Sequence, residues 1–226
     1  MALGRRELLL GAAGVALVGG SVTLAACNPA GGGTGTTPDD MILGEANAPA
    51  TLIEYASATC PHCAEFHHEV WDQLKANYID TGKLRYIFRE YPTPPEAVAV
   101  AGFQLARCGG ASPEQYMNRV GEIFRQQPDI FTALRAGSLE GVRAKFFEIG
   151  SSAGLSEEQV NACITDESGA ARVRRVVDGA TPFNVTGTPT LILNGRKLEG
   201  AEGAQAVTSY EGLAALIDAA LAQHGT

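Results

Sequence analysis

The stretch Thr51-Leu-Ile-Glu-Tyr-Ala-Ser-Ala-Thr-Cys60-Pro-His-Cys63-Ala-Glu-Phe-His-His68 decides the fold of this chain. Its first five residues are mostly apolar and favour a buried β-strand, whereas residues 61–78 have the apolar spacing of a core-facing helix. The stretch therefore places two cysteines, separated by two residues, at the junction of a strand and a helix. A cysteine pair in this setting is typical of thiol–disulfide exchange.

Exchange chemistry benefits from this position at the start of a helix. Pro61 can open the helix without losing a hydrogen bond, because the N–H groups of the first turn have no partner within the helix. Cys60 then faces free N–H groups and the positive end of the helix dipole, which stabilise a thiolate and lower the pKa of Cys60. A protonated His62 adds a second positive charge. We therefore predict that Cys60 is the attacking thiol and Cys63 the resolving thiol.

Two motifs resemble those of the DsbA family of periplasmic disulfide oxidoreductases. The first is Cys60-Pro61-His62-Cys63, and the second is Val-Thr-Gly-Thr-Pro-Thr at residues 185–190, which is similar to the cis-proline loop of that family. The resemblance implies an α/β, thioredoxin-like fold with an inserted α-helical domain. The expected thioredoxin-like parts are residues 41–95 and 181–226, and the expected insertion is residues 96–180.

The resemblance also assigns residues around the cysteine pair. The family carries an acidic residue six positions before the first cysteine, and in this chain that residue is Glu54. The resemblance implies that Glu54 acts as a proton acceptor for Cys63. The alternative is an ordinary acid on a partly exposed strand face. A cis Pro189 would hold the backbone of Thr188 as an edge that a substrate peptide joins as a strand, whereas a trans proline would merely start the next strand. Thr188 itself looks more like the residue of the isomerase branch.

Two further cysteines lie in the predicted insertion. We expect Cys108 and Cys163 to form a structural disulfide, because the predicted compartment is oxidising. The bond would close a loop of about 56 residues and stabilise the fold by about 4 kcal/mol in the chain-entropy description. Two buried free thiols are the alternative.

The N-terminus has the features of an export signal at residues 1–26. Two arginines precede an apolar run at residues 8–18, and the small residues Leu24-Ala25-Ala26 precede Cys27. This ending resembles a bacterial lipobox with Cys27 as the lipidated residue, although an ordinary signal peptide or an uncleaved anchor would also fit. Residues 27–40 are rich in Gly, Thr and Pro and predict a flexible tether that does not pack.

Composition narrows the functional classes. The 226 residues carry a net charge of −8 and contain no basic stripe, so we expect no nucleic-acid partner. Three histidines lie close to the cysteine pair, and Cys60, Cys63 and His67 together allow the alternative of a metal-binding or metal-delivery protein. We favour a redox pair with His67 and His68 on the helix surface, and hence no bound metal and no cofactor.

These observations together predict an exported thiol–disulfide oxidoreductase that introduces disulfides into translocated proteins. Its substrates would be unfolded proteins or peptides that contain cysteine. The resemblance implies reoxidation by a quinone-linked thiol oxidase in the membrane, and the N-terminal lipid would be the protein's own contact with that membrane. A disulfide isomerase or reductase on the same fold remains the nearest alternative. An inert scaffold domain is less consistent with an intact cysteine motif.

Overall fold

The structure is a computed structural model that describes residues 35–224. The predicted signal peptide, the predicted lipidation site Cys27 and the first part of the predicted tether lie outside these residues. Within residues 35–224, none of the helices combines the length and the apolar character that crossing a membrane requires.

A five-stranded mixed sheet forms the centre of the fold, with strand order β1-β3-β2-β4-β5. Strands β2 and β3 run parallel, and the other neighbouring pairs are antiparallel. The strands are β1 (Met41–Leu43), β2 (Ala50–Ala56), β3 (Leu84–Glu90), β4 (Thr190–Leu193) and β5 (Arg196–Lys197).

Eight helices surround this sheet in the described part of the chain. The first, α1, spans residues 61–79 and alternates α-helical segments (Pro61–Phe66, Asp72–Leu74) with π-helical ones (His67–Trp71, Lys75–Ile79). The others are α2 (Glu96–Arg107), α3 (Pro113–Arg135), α4 (Leu139–Ser152), α5 (Glu157–Ile164), α6 (Ser168–Ala180), α7 (Gly200–Thr208) and α8 (Tyr210–His224).

The connections match the predicted arrangement of an α/β fold with a helical insertion. Helix α1 links the parallel strands β2 and β3, and helices α2 to α6 lie in sequence between β3 and β4. Strand β2 is buried on both faces: Leu52 and Glu54 contribute to one side, and Ile53 and Tyr55 pack in a separate cluster on the other. The cysteine motif therefore follows a buried strand in the interior of the sheet.

Two segments are defined by their glycines. The apolar residues at 131–149 have mixed helical spacing, and the structure divides this stretch, because α3 ends at Arg135 and α4 begins after Ser138. Gly137 adopts φ +69° at this break, and the Ser138 hydroxyl caps the new helix by accepting from the N–H of Gly141. Gly200 and Gly203 predict a loosened chain, whereas residues 200–208 form helix α7. Gly203 is there because a Cβ atom would lie 2.6 Å from the carbonyl oxygen of Leu198.

The end of the predicted tether packs on the domain, so the expectation of a non-packing segment is wrong for residues 35–40. Asp40 forms an ion pair with Arg89 (Oδ1–Nε 2.9 Å), and the carbonyl oxygen of Gly35 accepts from the same guanidinium at 2.7 Å. Asp39 pairs with Arg175 at 2.7 Å. Ion pairs hold this segment on the domain, and the Gly-rich composition of the segment does not indicate them.

Candidate active site

The two cysteines of the motif occupy the first turn of α1. Cys60 is the N-cap residue, Pro61 is the first helical residue, and the Cys60 carbonyl oxygen accepts from the N–H of Ala64 at 3.2 Å. Both cysteines are free thiols: Cys60 is 7% exposed, and Cys63 is fully buried. His62 points outward and lies 3.2 Å from Glu65, so it is the exposed member of the motif.

The environment shifts the pKa values of the two thiols in opposite directions. A hydrogen bond with the Cys63 side chain is the main cause that lowers the pKa of Cys60 to about 6, and interactions with Thr188 and the backbone N–H groups of the helix start contribute further. Burial raises the pKa of Cys63 well above the ordinary thiol value, and the neighbouring Cys60 and Glu54 add to this increase. The pair therefore consists of one stabilised thiolate and one thiol that holds its proton.

The proline loop lies beside this pair. The Thr188–Pro189 peptide bond is cis, and the Cys60 thiol donates to the carbonyl oxygen of Thr188 at 3.1 Å. The buried hydroxyl oxygen of Thr188 has no hydrogen-bond partner among residues 35–224. The structure thus brings together residues that are 128 positions apart in the sequence.

Glu54, in the strand that precedes the cysteine motif, is completely buried, which makes an ordinary partly exposed strand acid an incorrect interpretation. Its Oε2 atom accepts a hydrogen bond from the Tyr86 hydroxyl of β3. The charge of Glu54 raises the pKa of both Cys63 and Tyr86, although burial is the larger cause for each. The carboxyl group is therefore coupled to the buried thiol.

His67 differs most from the sequence-based expectation. We expected a surface position for both His67 and His68; His68 is exposed, but His67 is buried, with only 3% of its side chain accessible. Its Nε2 atom lies 3.7 Å from Glu54 Oε2. His67 lies four residues after the buried Cys63 and three before the buried Val70, so helical spacing from Cys63 places it on the core-facing side of α1 and could have indicated its burial.

The helical insertion supports the active-site loop through a residue that the sequence did not indicate. The Gln127 amide of α3 donates to the carbonyl oxygens of Ala58 and Cys60, at 3.0 and 3.2 Å. From the other side, the N–H of Ser57 lies 3.5 Å from the Cys63 sulfur. No local pattern marks Gln127, because its partners are nearly 70 residues away.

The remaining predicted cysteines form a separate bond. Cys108, at the end of α2, and Cys163, in α5, are joined by a disulfide within the insertion. Among residues 35–224, no group of three or more His, Cys, Asp and Glu side chains has the arrangement of a metal site.

Comparison with known proteins identifies the same fold and the same cysteine chemistry. The sequence profile of the family described as Thioredoxin matches residues 36–219. A candidate protein-disulfide oxidoreductase from Rickettsia prowazekii is 32% identical over 166 residues, which cover 71% of this chain and 56% of that protein. Disulfide bond formation protein D of Bacillus subtilis is 22% identical, over 76% of this chain and 75% of that protein.

The crystal structure of Wolbachia pipientis alpha-DsbA1 superposes with a TM-score of 0.70 at 25% identity and covers 84% of this chain and 94% of that one. The predicted fold class is thereby confirmed. The chain spans little more than half the length of the Rickettsia protein. The extent of the Thioredoxin match, together with the fold it has in common with the DsbA structure, establishes that this chain belongs to the thioredoxin family.

Proposed function

We propose that this protein is an exported thiol–disulfide oxidoreductase that introduces disulfides into translocated proteins. The observation that carries the proposal is the position of Cys60: it caps α1, its pKa is lowered to about 6, and it lies 3.1 Å from the backbone of Thr188. A stabilised thiolate favours the reduced form of the enzyme. The disulfide form is therefore the better oxidant.

The reaction requires only the two cysteines and a substrate with two thiols. In the oxidised enzyme, a substrate thiolate attacks the Cys60 sulfur; a new bond joins these two sulfurs, the Cys60–Cys63 bond breaks, and Cys63 leaves with the electron pair and takes up a proton. A second substrate thiolate then attacks the substrate sulfur of the mixed disulfide. Cys60 leaves as a thiolate, the substrate is oxidised by two electrons, and the enzyme is reduced.

Pairing of the substrate with Thr188 supports this sequence of steps. An extended peptide that hydrogen-bonds to the Thr188 backbone would lie along Pro189 and place its cysteine next to Cys60. Backbone pairing does not depend on side chains, and such a site therefore suits unfolded clients of varied sequence. Cysteine-containing unfolded proteins are the substrates we propose.

The location follows from the same chemistry. Stable transfer of disulfides requires an oxidising compartment, and the predicted signal ending in Cys27 would deliver the protein to the extracytoplasmic side of the membrane as a lipoprotein. A quinone-linked thiol oxidase in that membrane would reoxidise the Cys60–Cys63 pair. Labelling with a radioactive fatty acid, compared between the full chain and Cys27→Ala, tests the anchor: incorporation that persists in the variant would rule it out.

Thr188 favours one alternative, a disulfide isomerase or reductase, because it resembles the residue of the isomerase branch. The reduction potential decides between the two. We expect equilibration with glutathione to give a potential well above that of thioredoxin, about −270 mV, and toward that of DsbA, about −120 mV. A value near −270 mV, or faster recovery of a scrambled protein than oxidation of a reduced one, would contradict the oxidase.

A further inference from the structure

The buried imidazole of His67 has no role in the exchange steps described above. Only 3% of its side chain is exposed, and neither ring nitrogen has a hydrogen-bond partner in the part of the chain that the structure describes. Three aromatic rings surround it: Trp71 at 5.0 Å, Phe124 at 4.7 Å and Phe66 at 5.7 Å between centroids. A buried polar ring without partners costs free energy, so its presence at this place requires a reason.

The carboxyl group of Glu54 lies close to this imidazole. Its Nε2 atom lies 3.7 Å from Glu54 Oε2, and the other oxygen, Oε1, is also buried without a partner among residues 35–224. A proton held between the two groups would satisfy both of them and would remove the cost of an isolated carboxylate in an apolar site. A hydrogen-bonded pair needs a movement of less than 1 Å from the observed separation.

Other titratable groups do not compete for this position. Tyr86 of β3 donates to Glu54, and Cys63 of α1 is the thiol whose pKa the Glu54 charge raises. The ionisable side chains of the neighbouring helices contact other partners. In α3, Glu114 contacts Lys75 and Glu122 contacts Arg125. Glu202 of α7 contacts Arg196, and in α8 Tyr210 contacts Asn77 and Asp218 contacts Tyr78.

We propose that His67 is a positioning residue that shares one proton with Glu54, so that this pair delivers the proton to Cys63 when the disulfide opens. The inference rests on the proposed function. As the Cys60–Cys63 bond breaks, Cys63 keeps the electron pair and takes the proton from the Glu54 carboxyl group. The proton is returned to the pair when the enzyme is reoxidised, so that the pair carries one proton more in the disulfide form.

This role explains why a carboxyl group that acts on the pKa of Cys63 is buried next to an imidazole. Cys63 is inaccessible to water, and its high pKa means that it must be protonated at once to remain a stable leaving group. The hydroxyl of Tyr86 would then stabilise the carboxylate that remains on Glu54. Proton transfer inside the protein replaces transfer from solvent.

Two variants of His67 and one control separate this role from packing. His67→Phe keeps an aromatic ring beside Trp71 and Phe124, and His67→Gln keeps an amide that can bond to Glu54 but cannot carry a proton at neutral pH. His68→Gln changes the adjacent, exposed histidine of the same helix. The measurement is the rate at which dithiothreitol reduces the oxidised enzyme between pH 5 and 9, followed by rapid alkylation of the new thiols.

We expect both His67 variants to be reduced about tenfold more slowly than wild type at acidic pH. This factor is smaller than the usual contribution of a general acid, because a thiolate is a good leaving group even without a proton. The ratio of the rates should fall toward one at high pH, where the pair has lost its proton. His68→Gln should follow wild type throughout. A pH-independent ratio, or His67→Gln at the wild-type rate, would overturn the inference while leaving the proposed exchange activity intact.

A second measurement uses the wild-type chain and does not depend on the folding of any variant. The ring-nitrogen resonances of His67 can be recorded by NMR at one fixed pH in the oxidised and the reduced protein. We expect the Nε2 shift to differ between the two forms, because the pair holds the extra proton only in the disulfide form. Identical shifts would contradict proton sharing, whereas a wild-type enzyme that does not react with dithiothreitol would instead contradict the proposed function.

Discussion

At the scale of single residues, the two thiols of the active site are opposite in character because of a few specific contacts. The hydrogen bond with Cys63 is the largest cause of the lowered pKa of Cys60. We therefore expect Cys63→Ala to raise this pKa from about 6 toward the ordinary value. Cys63→Ser, which keeps a hydrogen-bond donor, should give a value between wild type and Cys63→Ala. Thiolate absorbance against pH measures all three, and an unchanged midpoint in Cys63→Ala would contradict this cause.

The same shift makes the stability of the reduced protein depend on pH. A thiol whose pKa falls on folding adds stability that is complete above the unfolded value, about 8.5, and is lost as the pH falls through the folded value. For Cys60 the folded value is about 6. We expect the free energy of unfolding of reduced wild type, relative to reduced Cys60→Ser, to increase between pH 6 and 8.5. Denaturant unfolding at each pH tests this, and a flat difference would show that the thiolate is not stabilised.

Single residues also show where sequence reasoning reached its limit. The local motif was sufficient to place Cys60 and Cys63 at a helix start, because proline and the strand–helix boundary define that position. His67 and His68 are chemically identical neighbours, but only His67 lies on the stripe of buried residues that starts at Cys63. The local spacing carries that signal, whereas the contact of His67 with Phe124 of α3 depends on tertiary structure that the local sequence does not contain.

At the scale of elements, helix α3 of the insertion is part of the active-site support. Gln127 satisfies two buried carbonyl oxygens of the loop that carries Cys60. Gln127→Leu should leave both without a partner and cost about 2 kcal/mol of unfolding free energy. The neighbouring Gln126, which bonds to Glu122 within the same helix, provides the control: Gln126→Leu should change stability by less than about 1 kcal/mol. Equal effects in the two variants would remove the special role of Gln127.

The elements that could be predicted are those with a local cause. The sequence predicts a turn at Asn194-Gly195 and capping boxes at Ser112 and Ser156, and the structure contains all three, because their hydrogen bonds lie within a few residues. Helix α7 does not follow from the sequence, because Gly203 is required by its close packing against the backbone of Leu198 and not by a loop. Tertiary contacts decide such positions.

At the scale of the whole molecule, the disulfide within the insertion joins segments separated by 55 positions. The double variant Cys108→Ser/Cys163→Ser should lose about 4 kcal/mol of unfolding free energy, because the unfolded chain gains the freedom of an open loop. Exchange by Cys60 and Cys63 should continue below the new unfolding transition. Wild type whose disulfide has been reduced should match the variant; a large remaining gap between them would assign the loss to the serine side chains.

The segment before β1 is the other feature that involves the whole molecule, because its residues pair with strand β3 and with helix α6. Arg89 of β3 lies buried between Asp40, the Tyr55 hydroxyl and the backbone of Gly35. Asp40→Asn removes the partner charge from a guanidinium that is 6% exposed, and we expect a cost of about 3 kcal/mol.

Asp39 provides a matched control for this prediction. Its partner, Arg175, is 60% exposed, so that Asp39→Asn should cost less than about 1 kcal/mol. Thermal and denaturant unfolding of the two variants compare the buried and the exposed ion pair at adjacent positions. If Asp40→Asn were as mild as Asp39→Asn, residues 35–40 would behave as the tether that their composition suggests. A large difference would instead mean that any N-terminal anchor begins before residue 35, and that the domain itself includes these six residues.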